Sequence, residues 1–189
     1  MHVSKQVRLV YLAVAGAALL LAADVAMSAY ALHNLAGLHT TLMSEQELRQ
    51  VHTDMLNNLL ITGVGAVVLG VLVVIVRRPS SKVRIAVWLI APLIALALLC
   101  FLVGGPEWAV APTGEEPELL RQEYEQAVPE WYTTLHGTAG LLAVALLIFV
   151  AVFLTRADLR EYYMDDIAGA GRYHSWVDRA GPGTPRDPS

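Results

Sequence analysis

The chain has 189 residues, 56% hydrophobic and only 16% charged, with 13 Lys+Arg against 17 Asp+Glu for a formal net charge of −4. A soluble domain is about 45–50% apolar and about 25% charged. The composition therefore excludes a disordered chain, a nucleic-acid-binding arm and a disulfide scaffold, and argues against a wholly soluble protein. The single cysteine, Cys100, lies in an apolar run without a disulfide partner and reads as a small hydrophobe.

The first apolar run goes from Leu9 to about Leu32, after Lys5 and Arg8, is interrupted only by Asp24, Ser28 and Tyr30, and reads as a span over about residues 8–33. It is long enough as a helix to cross ~30 Å of hydrocarbon. A basic start and the small-residue site Ala29-Tyr30-Ala31 also fit a signal peptide. Against that, the apolar region exceeds the usual stretch of about 7–15 residues. Leucines also continue past the site as Leu32, Leu35, Leu38 and Leu42, so we read a retained span.

Residues 34–56 read as helix rather than loose linker. A tight turn is expected near Thr40–Met43, and Ser44-Glu45-Gln46-Glu47 is a capping-box pattern. Leu48, Val51, Met55 and Leu59 then recur at steps of three and four. The prediction is a helical hairpin whose arms project from the membrane. Spans over 57–77 and 83–104 follow, joined by a short loop holding Pro79, which makes them antiparallel neighbours. Pro92 predicts a kink in the third span.

The segment 105–130 follows the breaker Gly104-Gly105-Pro106. Thr113 or Gly114 can cap a short amphipathic helix from Glu115, with Leu119, Leu120, Tyr124 and Val128 on its apolar edge and Pro129 at its end. The fourth span covers 131–155 and is expected to run on through Arg156–Asp166. The Gly- and Pro-rich residues 168–189 read as a disordered tail.

The expected fold is all-α: residues 1–167 form a four-transmembrane-helix bundle, with an outer helical cap from 34–56 and 105–130. Lys5, Arg8, Arg77, Arg78, Lys82, Arg84, Arg156 and Arg160 flank one side of the spans, and only Arg49 and Arg121 lie on the other. The positive-inside rule places both termini and the tail in the cytoplasm of a multi-pass cell-membrane protein. Trp108, Trp131 and Tyr132 then read as outer interfacial anchors. Heavy Ala, Val, Leu and Gly usage with Arg over Lys is that of a high-GC bacterial source.

Asp24 is the chemical candidate, because an intramembrane acid is costly unless paired, protonated or hydrated. Its partner follows from depth. Asp24 lies about 13–14 Å below His33, and His136 about 7–8 Å below Trp131. If His33 and Trp131 mark one boundary, the two differ in depth by roughly 6 Å, within side-chain reach. An Asp24–His136 pair is either a clasp between the first and fourth helices or a proton- or ligand-handling site. Ser28, Thr62, Thr134 and Thr138 are candidate hydrogen-bonding neighbours.

His33, His39 and His52 form a second constellation on the outer side, a candidate for a metal ion or haem. It lacks His-x-x-x-His, Cys-x-x-Cys-His and Glu-x-x-His, so no cofactor is the expectation. Ala18, Ala22 and Ala26 on the first span, and Ala66 and Gly70 on the second, are small-residue stripes that suit close helix packing, within the bundle or against another subunit. No P-loop, dinucleotide fingerprint, nucleophile elbow or zinc-protease motif occurs. The basic inner loop is too short for nucleic acid.

The leading expectation is a small non-enzymatic membrane protein supporting a larger membrane assembly, its partners the lipid bilayer and a second membrane protein or further copies of itself. The alternatives are a proton-coupled carrier or channel centred on Asp24 and His136, and a haem- or metal-binding protein using the outer histidines.

Overall fold

The computed structural model describes residues 2–37, 43–78, 80–103, 118–156, 159 and 163. Among these, five helices follow in chain order: α1 (His2–Ala36), α2 (Glu45–Ile75), α3 (Ser81–Val103), α4 (Glu118–Ala127) and α5 (Glu130–Phe153). No strand occurs among the described residues. Four helices, α1, α2, α3 and α5, are long and apolar enough to cross a membrane, as expected of a multi-pass membrane protein. A helix satisfies its own backbone in hydrocarbon, where water is not at hand to do so.

The first two helices are longer than a crossing needs. With 35 and 31 residues, α1 and α2 run about 52 and 46 Å, against ~30 Å of hydrocarbon. The start of α2 is fixed by its own sequence. Glu47 N–H donates to Ser44 Oγ at 3.3 Å, and Ser44 N–H donates to the Glu47 carboxylate at 2.8 Å. This reciprocal box satisfies two amides that the first turn leaves without helical partners.

The α1–α2 seam has a strict period. On α1 the buried set includes Val7, Val10, Val14, Ala17, Leu21, Asp24, Ser28, Ala31 and Leu35. On α2 it is Val51, Met55, Asn58, Thr62, Gly65, Leu69 and Leu72, followed by Val76 beyond the helix end. Both series alternate steps of three and four, the 3.5-residue period of left-handed coiled-coil packing. Gly65 sits in this seam because a Cβ there would come to 3.0 Å of Leu21 Cδ1.

Around the bundle, α1 packs against α2 and α5, α3 packs mainly on α5, and α2 and α3 meet much less extensively. The short Arg77–Arg84 connection ties only the ends of α2 and α3. Beyond it their facing side chains leave an apolar groove of about 420 Å³ lined by Leu60, Val64, Gly65, Ile90, Ile94 and Ala97, among others. α3 approaches α5 where Gly140 removes a side chain: a Cβ there would lie 2.9 Å from Leu102 Cδ2. α3 continues unbroken through Pro92.

The small-residue stripes divide between the interior and the outer face of the bundle. Ala18 and Ala66 are partly buried against the main core. Ala22 and Ala26 are exposed, and a Cβ on Gly70 would meet nothing within 4 Å. The tightest approaches are at Gly65 and Gly140, where the neighbouring leucine needs the space. Cys100 is exposed rather than buried.

At one end, Ala31, Leu35, Met43, Val51, Met55, Ala127, Val128 and Tyr132 form a second apolar cluster. Met43 N–H donates to the Glu123 carboxylate at 3.0 Å, tying the α1–α2 connection to α4. Leu119, expected on the apolar edge of α4, is 66% exposed, while Val128 is buried. The buried residues described in this segment are Ala127 and Val128 at the helix's end, before Pro129 leads into α5, and the side chains of Leu120 and Tyr124 lie outside the described residues. Gly104-Gly105-Pro106, Thr113 and Gly114 lie outside the described residues, as do Leu38, Leu42, Pro79 and the tail 168–189.

At the opposite end, α5 closes at Phe153 with a turn over Leu154 and Thr155, rather than running unbroken through Arg156–Asp166. Leu159 and Tyr163 are buried, and Tyr163 O–H donates to the Val76 carbonyl at 2.8 Å. That bond satisfies one carbonyl left open at the end of α2.

Replacing Gly140 by Leu forces Leu102 and α3 outward and is expected to lower stability by about 1–3 kcal/mol. Gly70→Leu, in open space, is expected to change it by less than about 0.5 kcal/mol. Thermal melting of the two variants in one detergent checks this; equal losses would refute the assignment of the α3–α5 contact to Gly140.

Candidate functional site: a polar layer shared by three helices

Six polar side chains meet inside the bundle, two from each of three helices. Asp24 and Ser28 come from α1, Asn58 and Thr62 from α2, Tyr132 and His136 from α5. Each pair is separated by four residues, so both members lie on one helix face, about 6 Å apart along the axis. Because α1 runs opposite to α2 and α5, they form two storeys. Ser28, Asn58 and Tyr132 lie nearer α4, and Asp24, Thr62 and His136 lie one turn deeper.

In the deeper storey, His136 Nδ1 and Asp24 Oδ1 are 2.7 Å apart. One proton lies between them, on imidazole or carboxyl. Asp24 is 2% exposed and His136 4%, so water does not screen this contact. Thr62 turns back on its own helix and donates to the Asn58 carbonyl at 2.8 Å.

In the storey nearer α4, Asn58 Nδ2 lies 3.2 Å from both Ser28 Oγ and the Tyr132 hydroxyl, and those two oxygens are 3.2 Å apart. The amide donates to both and the hydroxyls share a further hydrogen bond, giving a triangle that joins α1, α2 and α5. The rings of Tyr132 and His136 stack with centroids 5.6 Å apart and planes 8° from parallel, linking the storeys. Two buried acceptors, Asp24 Oδ2 and Asn58 Oδ1, have no hydrogen-bond donor among the described residues.

The structure thus brings together Asp24 and His136, which the sequence paired by depth, and adds Ser28 and Thr62 beside them. Thr134 and Thr138 are not part of the layer: both are exposed, and Thr138 donates to the Thr134 carbonyl of its own helix. Asn58 and Tyr132 were not anticipated there. Asn58 carries a signal in hindsight, an amide one turn from Thr62 on the α2 seam. Tyr132 carries none, because an interfacial anchor and a core hydroxyl are the same residue type. It is fully buried, while neighbouring Trp131 is 40% exposed.

His33 and His52 are both exposed, and His39 lies outside the described residues. Among the described residues no group of three or more His, Cys, Asp or Glu side chains is placed to hold a metal ion. Neither the α2–α3 groove nor a smaller pocket at the arginine-rich end is lined by any member of the polar layer. Chemically, the layer can do two things: bind three helices to one another, and hold a proton between carboxylate and imidazole. Comparison with protein-family models, curated proteins and solved structures gives no match to this chain.

Removing one partner of this buried carboxyl–imidazole pair strands the other away from water, so His136→Leu is expected to destabilise by about 1–3 kcal/mol, and by more where the stranded carboxyl is charged. The double variant Asp24→Leu/His136→Leu should be more stable than His136→Leu alone, because nothing ionisable is left behind. A double-mutant cycle in detergent tests this, and simple additivity would refute the pairing. Tyr132→Phe removes the hydroxyl shared by Ser28 and Asn58 and is expected to cost about 1–2 kcal/mol in the same assay.

Proposed function

We propose that this chain is a small, non-enzymatic, multi-pass protein of a bacterial cell membrane, an accessory or structural subunit that packs against a larger membrane assembly. The observation that carries this reading is the placement of Ala22 and Ala26. They are small, one turn apart, and exposed on the same helix that turns Asp24 inward. In lipid, where apolar side chains gain little by leaving the acyl chains, helices associate where small residues let backbones approach. This stripe is not used by the bundle itself.

The polar layer supports the same reading. Its members bond to one another, are shielded from water, and hold α1, α2 and α5 as one unit that can present a fixed face. On this reading both termini are cytoplasmic, because the cations gather at the end of the bundle opposite α4. The acidic segment with α4 and the projecting α1–α2 hairpin form the extracytoplasmic cap. The role needs no cofactor and no nucleic-acid partner.

A second reading, a proton-coupled carrier or channel centred on Asp24 and His136, draws support from two buried acceptors that find no donor among the described residues, Asp24 Oδ2 and Asn58 Oδ1. Such atoms are costly unless something visits them.

The test is purification from the native membrane in mild detergent, comparing the natural chain with the double variant Ala22→Leu/Ala26→Leu. The expected result is one partner at constant stoichiometry that is lost from the variant, with the variant's melting temperature unchanged. Elution without a partner, or a partner held equally by the variant, overturns the subunit reading. Proton-coupled flux in vesicles that is abolished by Asp24→Asn would then establish the carrier reading.

A further inference from the structure

The end of the bundle away from α4 carries a pocket of about 340 Å³ lined by Arg84, Ile85 and Trp88 of α3 and by Thr155 just past α5. Its position follows from the packing of α3 on α5, which brings the first turns of one beside the end of the other. Arg84 and Trp88 are four residues apart and share a helix face. Arg84 is half-buried, while Ile85 and Trp88 are 57% and 49% exposed. The wall is therefore cationic at the helix start and apolar one turn further in.

The cations at this end are not equivalent. The Arg77 guanidinium lies 3.8 Å from the centre of the Tyr11 ring, and that of Arg156 lies 4.6 Å from the centre of Phe153. Arg78 and Lys82 are exposed. Arg84 alone combines a pocket with a guanidinium that has neither a hydrogen bond nor an ion pair among the described residues. The Thr155 hydroxyl does not compete for an anion, since it donates to the Val152 carbonyl at 2.6 Å. The early position of Arg84 in α3 adds the positive end of a 23-residue helix.

We propose that this pocket is a binding site for one anionic phospholipid. Its phosphate takes the Arg84 guanidinium as a two-pronged donor, and its acyl chain lies along Ile85 and Trp88. A guanidinium matches phosphate geometry in a way that a point charge does not. The pocket also sits where the apolar lengths of α3 and α5 meet the polar ends of the bundle. The molecule that presents a phosphate at that level with hydrocarbon directly beneath it is a membrane phospholipid. A free phosphate ion would gain nothing from the isoleucine and tryptophan. Tryptophan at the polar–apolar boundary is a regular interfacial anchor. The proposal is independent of whether the chain is a subunit or a carrier.

The test is native mass spectrometry of the full chain taken from nanodiscs holding equal phosphatidylglycerol and phosphatidylcholine. The expected result is one retained phosphatidylglycerol. Arg84→Gln should lower its retention relative to phosphatidylcholine by about fivefold, with Arg78→Gln changing it by less than about twofold. Arg84→Lys, which keeps the charge and loses the fork, should fall between Arg84→Gln and the natural chain. It also serves should Arg84→Gln fail to fold, since undiminished retention with Lys overturns the proposal. So do equal losses in Arg84→Gln and Arg78→Gln, which would make the attraction a diffuse charge effect. Displacement by millimolar inorganic phosphate would make the pocket an anion site rather than a lipid site.

Discussion

The bundle depends on one constraint: a carboxyl group inside a hydrocarbon-spanning helix must face protein. Asp24 meets it through the 2.7 Å contact with His136. That contact fixes the rotation of α1. Once Asp24 points inward, positions three and four residues away on either side follow it, placing Val14, Ala17, Leu21, Ser28 and Ala31 in the interior. The same rotation turns Ala22 and Ala26 outward. One polar pair thus decides which face of α1 packs internally and which is presented to the surroundings.

The structure is three helices clasped together with a fourth docked beside them. Ser28, Asn58 and Tyr132 link α1, α2 and α5, and Tyr132 also belongs to the apolar cluster that holds Met43, Met55 and Val128. Order in the polar layer is therefore coupled to order in the hairpin and α4. The third helix contributes no member to the layer. It rests on α5 through close packing at Gly140 and Leu102, and its contact with α2 leaves a groove. With no hydrophobic gain between helices in lipid, a helix that adds nothing to the polar layer is the first expected to open.

Much of this was legible in the sequence where the surroundings of a residue change its chemistry. The four spans follow from apolar length, the start of α2 from Ser44 and Glu47, and the Asp24–His136 contact from helical rise. The 3.5-residue period was legible only outside the spans, at Leu48, Val51 and Met55, where one face is polar. Within the spans lipid-facing and core-facing residues are both aliphatic, so the period is masked. Small residues such as Ala22, Ala26 and Gly70 therefore read alike whether they face the bundle or its surroundings, and Gly65 and Gly140, where α1–α2 and α3–α5 approach most closely, do not stand out among them. Neighbour relations were masked in the same way: a short loop fixes where α2 and α3 start and end, not how closely their faces meet.

The masked period also explains what the polar layer contributes beyond cohesion. A seam of valines, alanines and leucines repeating every seven residues is nearly self-similar, and a slip of one heptad would bury similar side chains. In water-soluble coiled coils a single polar residue on such a seam fixes register. Here Asp24 and Ser28 on α1, and Asn58 and Thr62 on α2, occupy consecutive seam positions. A seven-residue slip of α1 would carry Asp24 about 10 Å from His136 and set it among aliphatic side chains. The polar layer therefore excludes the alternative registers that the apolar seam would tolerate, and gives a largely aliphatic chain one arrangement.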